Sequence, residues 1–401
     1  MSDTTIVNVN GRFEGQLLAN PELKAGSLAA LSCYTAAQAE EAYARISSWP
    51  DYKQTPLHSL PAAATDLGLA GLYCKDESRR LGLSSFKALG AVYACVCEAS
   101  SYLEKRLGRP VSDLDLLAGK YGAELSDIFF ICCTDGNHGF SVANAARRMG
   151  ARAIIYIPRG VSAGREEALR QEGAQVVRID GIYDEAYAAV EAVARQEPGA
   201  LLISDSATSY YRDIPIRCMT GYSVMVREIC EGSPENIPSH VILPAGCGGM
   251  AAAVISAFHL RLGERSPRFI IVEPLNADCL FASALAGTPT IVAGDLDTIM
   301  GGLSCAAVSY VAWPTISAGV SFFLRVDDNA AIAAMRMFAN PKAGDVPIVA
   351  GETGAAGLAG LLAICDDPVA RQRVGLTPSS HVLVFNCEGA TDIDTYRQLT
   401  A

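Results

Sequence analysis

The chain has 401 residues, of which half are hydrophobic and 19% are charged, and this is the composition of a folded globular protein. The formal net charge of -11, with no long run of Lys or Arg, excludes a basic face for nucleic acid or anionic lipid. The length predicts two or three domains with a large core, and we expect a small molecule as the partner.

The thirteen cysteines are spread from Cys33 to Cys387 without a C-x-x-C pair, and no histidine stands at metal-ligand spacing. We therefore expect reduced thiols, a cytoplasmic location and no bound metal, and we leave open whether Cys279 and Cys305 pair. The N-terminal residues lack the pattern of a signal peptide, and no segment is predicted to span a membrane.

In chain order, the first informative segment is SSFKALGA, residues 84–91, which is typical of the start of a helix. Ser84 and Ser85 are good capping residues. Lys87 follows them in the first turn, where the partial positive charge of the helix end disfavours a protonated amine. Lys87 is therefore a candidate Schiff-base lysine. The alternative is a half-buried lysine whose amine reaches solvent.

From residue 129 onward, short apolar runs alternate with amphipathic helical patterns. The predicted strands are 129–134, 153–158, 174–179, 201–204, 240–246, 268–274 and 381–386. Because these runs do not alternate with polar residues, they indicate strands covered on both faces in parallel sheets. We predict an α/β fold of two doubly wound lobes that share a cleft. Residues 1–90 and 222–401 would form a large domain, and residues 91–221 a smaller inserted one.

Three turns after predicted strands attract attention, because ligands of parallel sheets bind beyond the carboxyl ends of strands. They are TDGNHG at 134–139, GCGGM at 246–250 and FNCEGATD at 385–392. The glycines of GCGGM allow backbone N–H groups to surround a phosphate at a helix start. The alternatives are an ordinary tight connection, an ordinary turn for TDGNHG and a buried structural thiol for Cys387. No dinucleotide or P-loop motif is present, which favours a phosphate monoester.

Several further segments accompany these turns in a fixed order. They are KDESRRLGLSSFKALGA (75–91), SDSATSYYRDIPIRCMTGY (204–222), LPAGCGGMAAAV (243–254), GLSC (302–305) and GETGAAGLAGL (351–361). Together with the turns, they resemble the motifs of the tryptophan-synthase-like, or fold type II, pyridoxal-phosphate enzymes over nearly the whole chain. Within that group the chain is most similar to the diaminopropionate ammonia-lyases.

The resemblance implies pyridoxal 5'-phosphate as the cofactor, bound covalently by Lys87, with the large and small lobes on either side of it. Asn137 would hydrogen-bond its phenolic oxygen, Phe86 would cover one ring face, and Cys387 would stand beside the pyridine nitrogen. The phosphate would lie against Gly246, Cys247, Gly248, Gly249 and Met250. A neutral thiol beside that nitrogen makes the ring a weaker electron sink than a carboxylate would, which favours β-elimination over transamination.

The resemblance further implies elimination of ammonia from D- or L-2,3-diaminopropionate. Elimination from serine, threonine or another β-substituted amino acid is one alternative, and a non-catalytic phosphate-binding protein is another. Asp135 would supply a second base opposite Lys87, and Asp205 would hold the distal ammonium, unless either carboxylate only caps a turn. The candidate substrate-binding residues are Ser84, Ser85, Thr134, Asp135, His138, Asp205 and Thr208. A homodimer is the family's usual state.

Two segments depart from the family's pattern. Thr208 stands where the family usually has tryptophan, and AAVS at 306–309 stands where a Gly-Glu-Pro-like run is usual. We expect both to line the substrate end of the cleft.

Overall fold

Two β-sheets organise the chain, and the computed structural model describes residues 6–23, 32–134, 136–181, 183–232 and 237–401. The strands are β1 (Ile6–Asn10), β2 (Glu14–Ala19), β3 (Leu57–Ser59), β4 (Gly71–Asp76), β5 (Phe129–Cys133), β6 (Arg152–Ile157), β7 (Gln175–Arg178), β8 (Ala200–Leu202), β9 (His240–Pro244), β10 (Arg268–Pro274), β11 (Val320–Val326) and β12 (His381–Asn386). The eight-stranded sheet has the order β1-β2-β11-β10-β9-β12-β4-β3, and the four-stranded sheet has the order β7-β6-β5-β8.

Helices cover both sheets. They are α1 (Ala36–Ser47), α2 (Pro61–Asp66), α3 (Lys87–Leu107), α4 (Asp113–Leu117), α5 (Asn137–Met149), α6 (Ala163–Gln171), α7 (Tyr183–Gln196), α8 (Asp213–Gly232), α9 (Gly249–Leu262), α10 (Cys279–Ala286), α11 (Trp313–Gly319), α12 (Asp328–Ala339), α13 (Ala356–Asp366), α14 (Pro368–Val374) and α15 (Ile393–Thr400). No helix in the described ranges is both long enough and apolar enough to cross a bilayer.

The prediction of parallel sheets covered on both faces is confirmed. All pairings of the four-stranded sheet are parallel, as are those along β11-β10-β9-β12-β4 in the larger sheet. On β5, Phe130 and Cys132 pack into the core that contains α3 and α5, whereas Phe129 and Ile131 pack against α7. A strand buried on both faces has no polar side to show, so its sequence is continuously apolar.

The sequence patterns did not reveal β1 to β4 or β11. Strands β1 and β2 form an antiparallel edge on β11, and β3 pairs antiparallel with β4. Strand β4 contains Lys75, whose charge argues against a buried strand. Lys75 is nonetheless fully buried, because its Nζ donates to Glu228 Oε2 (2.6 Å) and to the Thr55 carbonyl (2.7 Å).

Helices α3 and α8 pack closely together and carry the chain between the two sheets. A Cβ on Gly90 of α3 would lie 2.7 Å from the Cys218 carbonyl of α8, and one on Gly221 would lie 2.6 Å from the Leu89 carbonyl. Two glycines are required for backbones this close. The predicted domain limits at residues 90 and 221 fall inside these helices and stay a prediction.

Candidate active site

The first turn of α3 brings Lys87 against Asp205, which follows β8. Lys87 Nζ donates to Asp205 Oδ2, and both side chains are largely buried. The two sheets meet here, since Lys87 follows β4 of the larger sheet and Asp205 follows β8 of the smaller sheet. The structure therefore joins two predicted catalytic residues in one ion pair.

The charge state of Lys87 differs from the sequence-based expectation of a disfavoured ammonium. Burial opposes the ammonium form, but the charge of Asp205, with smaller contributions from Tyr222 and Cys247, raises the pKa of Lys87 well above its ordinary value. Burial likewise opposes the charge of Asp205, but Lys87 and His138 outweigh it and hold the Asp205 pKa well below its usual range. The partial charge of a helix end changes the pKa of Lys87 less than a full carboxylate charge in direct contact does.

His138 lies next to the Asp205 carboxylate. Its Nε2 lies 2.8 Å from the carbonyl oxygen of Ile203, and its Nδ1 lies 3.8 Å from Asp205 Oδ2. The ring is buried, so the structure places this predicted substrate-binding residue next to the carboxylate and beneath the cleft.

Residues 246–250 form a glycine-lined cup at the start of α9. Gly248 has φ 93°, and a Cβ there would lie 2.5 Å from Ile316 Cδ1; a Cβ on Gly246 would lie 2.8 Å from Cys305 Sγ. A Cβ on Gly249 would lie 3.6 Å from the Asp205 carbonyl, so the cup and the lysine end border the same segment. The first N–H groups of a helix lack intrahelical acceptors and attract an anion. Met250 is buried in the first turn of α9.

The cup carries a thiol of unusual acidity. A hydrogen bond to Cys305 outweighs the effect of burial and lowers the pKa of Cys247 to about 7. The question of a Cys279–Cys305 disulfide is answered by the structure, in which both residues are thiols and Cys279 Sγ donates to the Gly246 carbonyl (3.5 Å).

The turn after β12 joins the remaining predicted cofactor residues through Glu388, which sequence reasoning missed. Asn137 begins α5, and its Nδ2 donates to Glu388 Oε2; the Thr353 N–H donates to Glu388 Oε1 (3.2 Å). Cys387 is buried, and its Sγ donates to the Thr353 carbonyl (3.5 Å). Burial raises the pKa of Cys387 well above its ordinary value, and the charge of Glu388 adds to the effect. The signal for Glu388 was its place in the motif CEGATD.

Phe86 lies between Lys87 and Tyr222 and is itself buried. Its ring centroid is 5.6 Å from Lys87 Nζ and 4.8 Å from the Tyr222 ring, which meets it edge-on. The Tyr222 hydroxyl is buried without a hydrogen-bond partner among the described residues. Sequence reasoning also missed Tyr222, although it ends one of the quoted motifs.

The remaining predicted residues have structural contacts of their own. Ser85 Oγ accepts from the Lys87 N–H (3.1 Å), as expected of a capping serine, and the Ser84 carbonyl accepts from the Gly389 N–H (2.9 Å). Thr134 is buried, and its Oγ1 accepts from the N–H groups of Gly136 (3.0 Å) and Gly139 (3.1 Å). Asp135 lies outside the described residues. The catalytic and binding roles of these residues stay predictions.

The two segments that depart from the family's pattern contact each other. The Ala207 N–H donates to Ser309 Oγ (2.9 Å), and the Tyr310 N–H donates to the Ala207 carbonyl (3.0 Å). Ser309 N–H also donates to the Cys247 carbonyl (2.9 Å), and Thr208 closes its own turn by accepting from the Tyr211 N–H (3.1 Å). The two segments therefore lie side by side, and Ser309 joins them to the cup through Cys247.

These residues fit pyridoxal 5'-phosphate. Protein side chains behind the cup, Cys305 and Ile316, require glycine at positions 246 and 248, and glycines at a helix start leave backbone N–H groups accessible to a phosphate. The Lys87 amine, the Asn137 amide and the buried Cys387 thiol come from separate turns of the same cleft. They would supply the amine, the donor and the neutral group that the aldehyde, the phenolic oxygen and the pyridine nitrogen of the cofactor need.

Comparisons with known proteins agree with this fit. The family model for pyridoxal-phosphate-dependent enzymes matches residues 49–387. The diaminopropionate ammonia-lyase of Salmonella typhimurium is 37% identical over 388 residues, which cover 94% of this chain and 95% of that protein.

Two solved structures of the Escherichia coli diaminopropionate ammonia-lyase match 97% of this chain and 97% of their own. The D-serine complex has a TM-score of 0.87 at 29% identity. The complex with an aminoacrylate-PLP azomethine reaction intermediate has a TM-score of 0.85 at 31% identity. This chain therefore belongs to the family of pyridoxal-phosphate-dependent enzymes, in the fold type II group that contains the diaminopropionate ammonia-lyases.

Proposed function

We propose that this chain eliminates ammonia from 2,3-diaminopropionate, and that hydrolysis of the released aminoacrylate by one water yields pyruvate and a second ammonia. The observation that carries the proposal is the ion pair of Asp205 with the ammonium of Lys87. Asp205 is built to hold an alkylammonium group, and diaminopropionate brings one on its β-carbon. The β-hydroxyl of serine or threonine has no charge to offer this carboxylate, which makes a dehydratase the weaker alternative.

Pyridoxal phosphate, when bound, supplies the electron sink that accepts the electron pair left on the α-carbon after its proton departs. Lys87 Nζ would take that proton, and for this its amine has to be neutral. When the substrate's distal ammonium occupies Asp205, it removes the charge that raises the Lys87 pKa. Binding of a diamine would thus prepare Lys87 as the base.

Cys387 and Asp135 would shape the outcome. Burial and the neighbouring charge of Glu388 keep the Cys387 thiol protonated and neutral, and a neutral group beside the pyridine nitrogen favours prompt loss of the β-amine. Asp135 follows β5 in the sequence and would act as a base for the enantiomer whose α-proton faces away from Lys87.

A pyruvate-coupled assay on D- and L-diaminopropionate, with D- and L-serine and L-threonine as comparison substrates, tests the proposal. We expect turnover of the diamine to exceed that of the hydroxy amino acids. Turnover of the hydroxy amino acids with none of either diamine enantiomer would establish the alternative. We also expect Asp135→Ala to reduce turnover of the D-diamine far more than that of the L-diamine, and equal losses would refute the two-base assignment.

We also propose that the enzyme works in the cytoplasm as a homodimer. Thirteen reduced thiols suit a reducing compartment. The chain exposes the apolar side chains of Leu260, Leu285 and Ile291, and burial of such surface would favour association with a second copy. Light scattering coupled to gel filtration measures the mass directly, and a monomer at micromolar concentration would contradict the homodimer.

A further inference from the structure

We propose that Glu388 is a positioning residue that sets the orientation of the Asn137 amide toward the cofactor. Glu388 is 4% exposed, follows Cys387 directly, and receives hydrogen bonds from Asn137 of the smaller-sheet lobe and Thr353 of the larger-sheet lobe. The proposal concerns the cofactor site alone, so its test does not depend on which amino acid is the substrate.

The backbone around Glu388 is fixed on both sides. Residues 84–86, which lead into Lys87, pair with residues 387–389: the Phe86 N–H donates to the Cys387 carbonyl (3.1 Å), and the Gly389 N–H donates to the Ser84 carbonyl (2.9 Å). The Gly351 N–H donates to the Glu388 carbonyl (3.0 Å). Backbone hydrogen bonds therefore fix the position of the segment that carries Lys87 relative to the segment that carries Glu388.

Two glycines, Gly351 and Gly354, pack directly against Glu388. A Cβ on Gly351 would lie 3.1 Å from Glu388 Oε1, and a Cβ on Gly354 would lie 2.3 Å from the Glu388 carbonyl oxygen. Neither glycine has a positive φ, so a close approach and not a special backbone conformation requires them. The GETGAAG motif thus makes room for the buried carboxylate.

The chemical reason lies in the symmetry of an amide. The two ends of an asparagine side chain have nearly the same shape, but one end donates two hydrogen bonds and the other end only accepts. Glu388 Oε2 accepts one hydrogen of Asn137 Nδ2 and so determines which end is the nitrogen. The second hydrogen of Nδ2 is then left for the phenolic oxygen of the cofactor, whose negative charge the opposite orientation would repel.

Glu388→Gln tests this role at constant size. The glutamine has one acceptor oxygen where the carboxylate has two, so it cannot accept from both Asn137 and Thr353. We expect the dissociation constant for pyridoxal phosphate to rise about tenfold, the loss of one charge-assisted hydrogen bond. We also expect the pH titration of the bound cofactor's visible absorbance to move upward by about 0.5 pH unit or more, because the phenolic oxygen loses its donor.

A double-mutant cycle with Asn137→Ala separates positioning from a merely structural role. If Glu388 acts through Asn137, adding Glu388→Gln to Asn137→Ala should weaken cofactor binding less than about twofold further. Losses that multiply, or an absorbance titration of Glu388→Gln that matches the wild type, would overturn the proposal.

Asp367→Asn is the matched control, since Asp367 is also a buried carboxylate that accepts from the N–H groups of Asn10, Val369 and Ala370, far from the cleft. It should leave the absorbance titration unchanged. If Glu388→Gln does not fold, Glu388→Asp shortens the side chain, keeps the charge, and should still shift the titration upward. An unshifted titration of that variant counts against the proposal in the same way.

Discussion

Lys87 and Asp205 form a buried ion pair across 118 positions of sequence. The pair joins the start of α3 to the end of β8, and so it ties the two sheets together at the cleft. It also controls the protonation of the amine, because the Asp205 charge outweighs burial at Lys87.

Asp205→Asn should lower the pKa of Lys87, since burial then acts without the carboxylate. Because the folded pKa is raised in the wild type, its loss moves the deprotonation of Lys87 to lower pH. In cofactor-free protein, the rate of reconstitution with pyridoxal phosphate should therefore rise at a lower pH than in the wild type. Diaminopropionate turnover should fall about a hundredfold or more, the loss of one buried charge contact.

Asp113→Asn is a closely matched control for this experiment. Arg45 and Asp113 are 26% and 12% exposed, against 25% and 12% for Lys87 and Asp205. Asp113 lies outside the cleft at the start of α4, so its variant should keep the wild-type reconstitution profile. Identical profiles for Asp205→Asn and the wild type would contradict the charge control.

Cys247 should react with iodoacetamide as a thiolate at neutral pH. Its pKa of about 7 lies below the ordinary thiol value, so the alkylation rate should rise with pH through a midpoint near 7 and level off above it. Mass spectrometry after timed quenching gives the rate for each thiol. Cys365, whose pKa burial raises to about 11, serves as an internal reference and should react slowly over the same range.

Two further alkylation experiments test why the pKa of Cys247 is low and whether the cofactor phosphate binds next to it. Cys305→Ala removes the hydrogen bond that lowers the Cys247 pKa, so the midpoint should move up. Saturating pyridoxal phosphate should slow alkylation about tenfold or more if the cup holds the phosphate. Unchanged reactivity in the presence of the cofactor would place the phosphate elsewhere.

Gly248→Ala should weaken cofactor binding, and Gly263→Ala should not. Both glycines cap α9 with positive φ, 93° at Gly248 and 57° at Gly263, so each alanine should cost about 1 to 2 kcal/mol of strain. At Gly248 the added Cβ also meets Ile316, whereas at Gly263 nothing lies within 4 Å. Fluorescence titration with pyridoxal phosphate should show a rise in Kd only for Gly248→Ala, and equal affinities would argue against the cup.

Arg80→Met should destabilise the fold strongly. Arg80 is fully buried and donates to Glu77 (2.7 Å) and Glu228 (2.7 Å), so its removal leaves two buried carboxylates with Lys75 as their one remaining cation in the described contacts. Breaking such a pair costs about 3 to 5 kcal/mol in the free energy of unfolding, measured by urea denaturation. The surface pair of Arg106 and Asp127 gives the control, and Arg106→Met should leave the urea midpoint close to that of the wild type, because solvent screens an exposed pair.

The loss of stability at acid pH should depend on the same pair of Arg80 and Glu77. The charge and hydrogen bonds of Arg80 outweigh burial and lower the pKa of Glu77 below its unfolded value of about 4.3. A lowered folded pKa means that the contribution is present above the unfolded value and is lost as the pH falls through the folded one. Urea midpoints between pH 6 and pH 3 should decline less steeply in Arg80→Met than in the wild type.

Local sequence patterns predicted the parallel strands other than β4 and β11, the helix starts and the turns that carry the chemistry. Strands such as FFICC are apolar throughout because both faces are covered, and Lys87, Asn137 and residues 246–250 stand at helix starts that local patterns reveal. The edge strands β1 to β3 were not recognised, because short strands at a sheet margin have a weak pattern.

The interactions between these turns depend on the three-dimensional fold. A sequence does not show that Asp205 meets Lys87, that Cys305 acidifies Cys247, or that Glu388 holds Asn137. Each of these contacts joins segments far apart in the chain, and the strength of a charge or hydrogen bond depends on distance and burial. The helix field that disfavours the Lys87 ammonium is outweighed for this reason, since the charge of Asp205, a residue distant in sequence, lies in contact with the amine.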